Sequence, residues 1–178
     1  MKRPEPGTPE WEAYRVREAA KQARKRVAAS VLLRDSAGRI LLIDPADLPT
    51  WDIPGAPALD NEAPDDAAAR GLRKTVDLDV LPGRLLCVDW LPPQRGFGDQ
   101  LVFLFDGGMA DDRIAAAVRP YGTGVSACRF VETAEAPSLL DPDVWLRVRH
   151  AIGAFVSGTT AYLHYGLQLS GAPSGIET

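Results

Sequence analysis

Trp51-Asp-Ile-Pro-Gly55, then Glu62, then Pro64-Asp-Asp-Ala-Ala-Ala-Arg70-Gly-Leu-Arg-Lys-Thr-Val76 is the stretch on which the reading of this chain turns. Residues 45–63 hold four prolines (Pro45, Pro49, Pro54, Pro57) and read as loop, because proline has no N–H to give to a helix or a sheet. Pro64 then opens a helix. Its fixed φ suits a first turn, and Asp65 and Asp66 beside it meet the positive end of the helix dipole. The Ala- and Arg-rich run that follows predicts a helix reaching about Val76.

Working outward, Val27-Ala-Ala-Ser-Val-Leu-Leu-Arg34 reads as a buried strand, Asp35–Gly38 as a turn and Arg39–Ile43 as the returning strand. Downstream, Val80–Trp90 is strand-like around a Pro82-Gly83 turn or bulge, and Pro92–Gly98 is loop. Leu101–Phe105 is a buried strand ended by Gly107-Gly108, and Val125–Val131 is another strand. Ala134–Leu140 reads as a short helix and Pro142 to about Val156 as a longer one, with Trp145, Val148, Ile152 and Phe155 at helical spacing toward a core. At the other end, Thr8 can cap a helix from Pro9 to about Lys25 that carries a partial apolar stripe (Trp11, Tyr14, Val16) and a Lys/Arg-rich terminus. Residues 1–8 and the tail after Gly171 read as loose. There is no internal repeat and no interior linker. The expected organisation is an N-terminal extension and helix (1–25), one domain (26–157) and a C-terminal tail (158–178).

With a hairpin before it and strands after it, the 51–78 stretch resembles the Nudix box. That pattern runs Gly, five residues, Glu, seven residues, Arg-Glu, an apolar residue, any residue, Glu-Glu, any residue, Gly, an apolar residue. Seven residues separate Glu62 from Arg70, which fixes the register. The resemblance covers roughly residues 26–157. It implies a Nudix-type α/β/α sandwich with a mixed β-sheet, here with an extra N-terminal helix. In that register Ala56 replaces the first glycine, Gly71 replaces the glutamate after Arg70, Lys74 and Thr75 replace the paired glutamates, and Asp77 replaces the closing glycine before the apolar Leu78.

Positions 71, 74 and 75 are spaced i, i+3, i+4 and share one helix face. Three carboxylates there would hold hard divalent cations such as magnesium through oxygen ligands, and the cations would activate water against a diphosphate. A Gly–Lys–Thr face has no carboxylate, and Lys74 puts a positive charge where a cation would sit. The expectation is therefore no metal and no cofactor, with magnesium entering only if nearby acids (Asp60, Glu62, Asp65, Asp66) rebuild a site for residual hydrolysis. Asp66 and Arg70, four apart, are expected to pair on the helix surface. Gly71 reads either as drift after catalysis was lost or as space opened for a bulky ligand.

Charge and composition narrow the partners. At 178 residues and net charge −4, the chain lacks the basic excess that general nucleic-acid binding requires. No apolar run approaches membrane length and no signal segment opens the chain, so a cytoplasmic location is expected. Cys87 and Cys128, both in apolar runs, read as buried reduced thiols. In the Pro92–Asp99 loop, Arg95 can grip an anion, Phe97 can stack on a ring and Asp99 can act as acid or base. His164 could serve near neutral pH, whereas His150 is expected to be exposed. The candidate chemistry thus falls to Glu62, Asp99 and His164. Candidate ligand contacts are Lys74, Trp51, Gly71, Thr75, Arg95 and Phe97, around a small anionic or nucleotide-like molecule.

Three functional readings follow. The leading one is a Nudix-like protein that has lost metal-dependent diphosphate hydrolysis and keeps a small-molecule cleft, for binding or for metal-independent isomerisation or cyclisation. The second is a residual hydrolase of organic diphosphates. The third is a protein-interaction module that uses its N-terminal helix, with self-association left open.

Overall fold

The structure, a computed structural model, describes residues 3–94 and 96–168. Its strands are β1 (Arg26–Asp35), β2 (Ile40–Pro45), β3 (Gly55–Pro57), β4 (Leu85–Leu91), β5 (Gln100–Ala110), β6 (Val125–Val131), β7 (Ala161–His164) and β8 (Leu167–Gln168). The helices are α1 (Pro9–Ala20), α2 (Pro64–Val76), α3 (Asp112–Ala117) and α4 (Pro142–Ser157), with a 3₁₀ turn at Ala136–Ser138. One mixed sheet runs β6-β2-β1-β5-β4-β7-β8, with β3 laid against β1. β1 pairs antiparallel to β2 and β3 but parallel to β5, and β4 pairs antiparallel to β5 but parallel to β7.

The alternation of β1 and β2 builds two cores, one on each face of the sheet. Ala29, Val31 and Leu33 of β1, with Leu41 and Ile43 of β2, face Ala67, Ala68, Leu72 and Val76 of α2. Leu32, Ile40 and Leu42 point the other way, onto Val148, Ala151 and Ala154 of α4. Each fully buried Leu among them contributes about 1.5–3 kcal/mol by leaving water. Both faces of these strands are covered, so their sequences are continuous apolar runs rather than alternating ones. This is the expected sandwich.

Helix α2 spans the expected residues. It closes at Asp77, which adopts the left-handed conformation (φ 55°) where the resembling pattern has glycine. A short Asp side chain tolerates that conformation better than most. Four expectations are corrected. Helix α1 stops at Ala20, five residues before Lys25, and none of its residues is fully buried, so its apolar stripe contributes nothing to either core. The segment Val80–Gly83 lies outside the sheet, and β4 begins at Leu85. Strand β5 runs through Gly107-Gly108 to Ala110 instead of ending there. A side chain at Gly107 would meet the Val31 side chain at 2.4 Å, and Gly108 has φ 73°, so the pair lets β5 pass β1 where its register shifts between Leu32 and Arg34. Finally, β7 pairs with β4, so the sheet takes in residues beyond the expected domain end at 157. Too short to show a period, β7, β8 and α3 gave no signal in the sequence. The tail expected to be loose after Gly171 lies outside the described residues. No helix among the described residues is long and apolar enough to cross a membrane.

Candidate functional site

The box loop is clasped to α2 by one ion pair. Arg70 donates through Nε to Glu62 at 2.6 Å and through Nη2 to the second Glu62 oxygen and to the Pro57 carbonyl, both at 2.7 Å. Glu62 also accepts the Leu59 N–H at 2.7 Å. Bidentate, charge-assisted bonding of this kind fixes geometry as well as charge. The Arg70 guanidinium, with the Leu59 amide, pulls the Glu62 carboxyl down to about 2. Glu62 therefore keeps its charge and its place, which suits a clasp better than a proton carrier. The expected Asp66–Arg70 pair does not form; Arg70 faces the loop instead.

The α2 face that would carry metal ligands is closed at one end. Gly71 is buried, and a Cβ there would meet the Gly55 carbonyl carbon at 2.2 Å and its oxygen at 2.5 Å. Gly55 is equally constrained, since its own Cβ would meet the Ser30 Oγ at 2.3 Å. Two glycines let α2, β3 and β1 stack at backbone distance. Gly71 thus serves helix–strand contact, and the expectation that it opens space for a ligand is corrected. Thr75 turns its hydroxyl inward, donating to the Gly71 carbonyl at 2.9 Å, and its own carbonyl accepts the Tyr121 N–H at 2.8 Å. Lys74 is exposed one turn beyond Arg70 and adds to the positive potential on Glu62. This donor set does not fit magnesium, which wants converging oxygen ligands. Among the described residues no group of three or more His, Cys, Asp or Glu is placed to hold a metal ion.

The concavity beside the box lies at the N-terminal end of β1. A groove of ≈ 660 Å³ runs between Arg24, Lys25 and Arg26 on one side and the clasped loop from Pro57 to Glu62 on the other, with Gln100 at its floor. It continues into a smaller hollow of ≈ 180 Å³ that shares Arg26 and Gln100 and adds Leu91, Pro92, Gln94 and Phe97. The Arg26 guanidinium lies 5.0 Å from the centroid of the Phe97 ring, and Phe97 is 64% exposed, so one face of its ring is open to a partner. Asp99 accepts the Trp90 indole N–H at 2.9 Å and pairs with Lys25. Lys25 and that N–H hold its carboxyl below the usual carboxylate range. Trp90 stacks on exposed His164 with ring centroids 4.4 Å apart.

Of the residues named from sequence, Glu62 and Phe97 border this groove, and Asp99 and His164 are linked to it through Lys25 and Trp90. Trp51 lies elsewhere, packed against the α4 core with Arg129 5.2 Å from its ring. Arg95 lies outside the described residues. His150 is half-buried rather than exposed, and burial lowers its pKa. Arg24, Arg26 and Gln100 went unnamed as candidates because the basic run before β1 reads equally as a helix terminus. A buried Asp89–Arg147 pair at 3.0 Å, whose carboxylate also accepts the Gly166 N–H, was invisible too, because its partners are far apart in sequence. Burial pushes the Cys87 thiol up to about 12, which leaves it inert.

No family model matches the chain, and no curated protein matches it by sequence. Solved structures do match. The Nudix domain of Shewanella oneidensis NrtR, complexed with ADP ribose, superimposes with TM-score 0.64 at 15% identity, over 81% of this chain and 98% of that one. A MutT protein from Methanosarcina mazei Go1 gives 0.55 at 15% identity, over 77% and 99%. A C. elegans Ap4A hydrolase gives 0.56 at 19% identity, over 74% and 98%. With its two-sided mixed sheet and its box loop clasped to α2, this chain has the fold of the Nudix hydrolases.

Proposed function

We propose that this protein is a Nudix-fold small-molecule binder whose box helix no longer serves metal-dependent hydrolysis. We place its ligand, an anion bearing a ring, in the groove between Arg24–Arg26 and the box loop. The observation that carries this reading is the seating of Gly71 on Gly55, which fills with backbone the place where a carboxylate would project from α2. Lys74 and Thr75 supply no replacement. The groove suits the ligand class: Arg24 and Arg26 can meet phosphate or carboxylate oxygens, Asn61 and Gln100 can fix polar edges, and the open face of Phe97 can stack on a ring. The ADP ribose bound by a similarly folded Nudix domain is one molecule of that class. Were the site to do chemistry without metal, proton transfer would fall to His164, which stacks on Trp90, because Lys25 holds Asp99 in its charged form.

The test is calorimetric titration with ADP ribose, ADP and AMP, with and without magnesium. Binding independent of magnesium is expected. Arg26→Ala and Phe97→Ala should each weaken it by roughly tenfold or more, the loss typical of a central contact. Lys74→Ala should cost less, and Asp66→Ala nothing. Equal affinities across the four variants would remove the groove from consideration. Magnesium-dependent hydrolysis by the wild type of ADP ribose to AMP and ribose 5-phosphate, or of ADP to AMP and phosphate, would establish the residual-hydrolase reading instead.

A further inference from the structure

At the edge of the sheet away from β7 and β8, a groove of ≈ 510 Å³ runs between α3 and β6. Ala115 and Ala116 of α3 line one side, and Cys128, Arg129 and Phe130 of β6 line the other. Consecutive residues of a strand turn their side chains to opposite faces, so three in a row can border one groove only where it follows the strand's edge. This groove shares no residue with the one beside the box loop.

The strand edge along it is unpaired. β6 pairs with β2 alone, and among the described residues no backbone hydrogen bond reaches Val125–Val131 from outside that ladder. The direction of its free groups follows from β2. The Ile43 N–H donates to the Asp52 carbonyl and the Asp52 N–H to the Ile43 carbonyl, each at 2.9 Å. Both polar groups of Ile43 thus turn away from β6, so its partner Cys128 forms no ladder bond with it. Antiparallel alternation gives Phe130, two residues on, the same orientation. The N–H and C=O groups of Cys128 and Phe130 therefore point outward along the groove. Edge strands are ordinarily blunted by proline, by charge or by a covering element. β6 has no proline, and its one charged side chain, Arg129, is already paired with Glu135 at 2.7 Å.

We propose that this groove binds an extended, uncharged peptide segment of another protein, which adds to β6 as a further strand of the sheet. The segment's backbone pairs with the outward N–H and C=O groups of Cys128 and Phe130. Its alternate side chains face Ala115, Ala116 and Val118, so every second residue is apolar. Charge and area select this occupant. The charged residues of the lining, Asp35, Arg39, Asp112 and Arg129, are two of each sign, and Arg39 is held by Asp35 at 2.6 Å, so the groove complements a neutral chain. The seven residues of β6 span about 24 Å, and an edge about 10 Å deep offers roughly 240 Å², well short of the ~800 Å² per partner of a stable complex between folded proteins. The edge therefore fits a short extended segment rather than a second copy of this chain.

The test is titration of the isotope-labelled full-length protein with the peptide acetyl-Thr-Ile-Thr-Ile-Thr-amide, following the Cys128 and Phe130 backbone amide resonances. A second peptide, methylated on both Ile nitrogens, keeps the side chains but removes two backbone donors. Ala116→Arg fills the groove from an exposed position, and Ala117→Arg is its control, exposed on the same helix but outside the lining. The expected result is a saturable shift of both amides at roughly millimolar peptide or below, with at least roughly tenfold weaker binding of the methylated peptide. Ala116→Arg should lose roughly tenfold or more in affinity, and Ala117→Arg should bind as the wild type does. The proposal is overturned if neither amide shifts saturably, if the methylated peptide binds equally well, if Ala116→Arg keeps full affinity, or if Ala117→Arg loses as much. It is equally overturned if the same amides shift on concentrating the protein alone, which would make a second copy the occupant.

Discussion

Gly71 shows how one residue can read two ways in sequence and a third way in space. Inside a helix, glycine costs about 1 kcal/mol against alanine, so Gly71→Ala should stabilise α2 if the helix were alone. Here the new methyl would meet Gly55 backbone at 2.2 Å, and neither partner has a side chain that can swing away. Overpacking costs typically about 1–3 kcal/mol, and a clash with backbone sits at the upper end. The expected outcome is that Gly71→Ala lowers stability by about 1–3 kcal/mol in denaturant unfolding; a stabilised variant would show that α2 does not sit on β3. Glu62 carries a prediction with a pH signature. Its folded carboxyl is pulled from 4.5 to about 2, so the clasp's contribution is fully present above 4.5 and is lost as pH falls from 4.5 toward 2. Glu62→Gln should therefore be less stable than wild type at pH 7, with the difference shrinking through that window. A pH-independent difference would mean that shape and not charge sets the clasp.

At the scale of the element, α2 was legible because its signals are local. Proline at the first turn, two acids beside it and an Ala-rich run fix its start and length within thirteen residues. What it touches was not legible, because the Gly55 contact comes from the short strand β3 sixteen residues upstream and the Arg70 partner had two plausible acids within reach. That difference governs an engineering test. Replacing 71, 74 and 75 with glutamate would restore the acids of the resembling pattern. Exposed Lys74→Glu and half-buried Thr75→Glu are tolerable by burial, but Gly71→Glu places a whole side chain into Gly55 backbone. The double variant should fold with a melting temperature close to wild type and bind no magnesium at millimolar concentration, because two adjacent carboxylates do not complete a coordination shell. The triple variant should be markedly destabilised, by more than about 3 kcal/mol, the upper range for overpacking. A folded triple variant that binds magnesium by calorimetry would show that the lost acids are the whole of the divergence.

For the molecule as a whole, the hairpin, the box and α4 disclosed a two-sided sandwich, whereas pairings between distant segments stayed hidden. The Asp89–Arg147 pair joins the sheet to α4 across 58 residues, and β7 completes the sheet beside β4 from beyond the expected domain end. Helix α1 is the reverse case: a clear helical signal with nothing beneath it. Thr8 caps it by accepting the Trp11 N–H at 3.2 Å, and Trp11 and Tyr14 stack on each other at 5.7 Å, yet no residue of the helix is buried. Stability comes from apolar area removed from water, so an element that places no residue in the core adds little beyond its own local contacts. The tie at its end is different. Lys25 pairs with Asp99, and the Arg26 N–H donates to the Asp99 carbonyl at 3.2 Å, which anchors the start of β1 and one wall of the groove. Two truncations separate these roles. Removing residues 1–20 should leave denaturant stability within about 0.5 kcal/mol of the full chain, the usual range for surface changes. It should also leave groove affinity unchanged. Removing residues 1–25 takes away Arg24 and Lys25, frees Asp99 from its cation and should weaken ligand binding. Loss of stability on removing residues 1–20 alone would mean that α1 packs on the sheet in solution, within one chain or between copies. A concentration-dependent melting temperature in the full chain would then identify the second case, because only association between molecules responds to mass action.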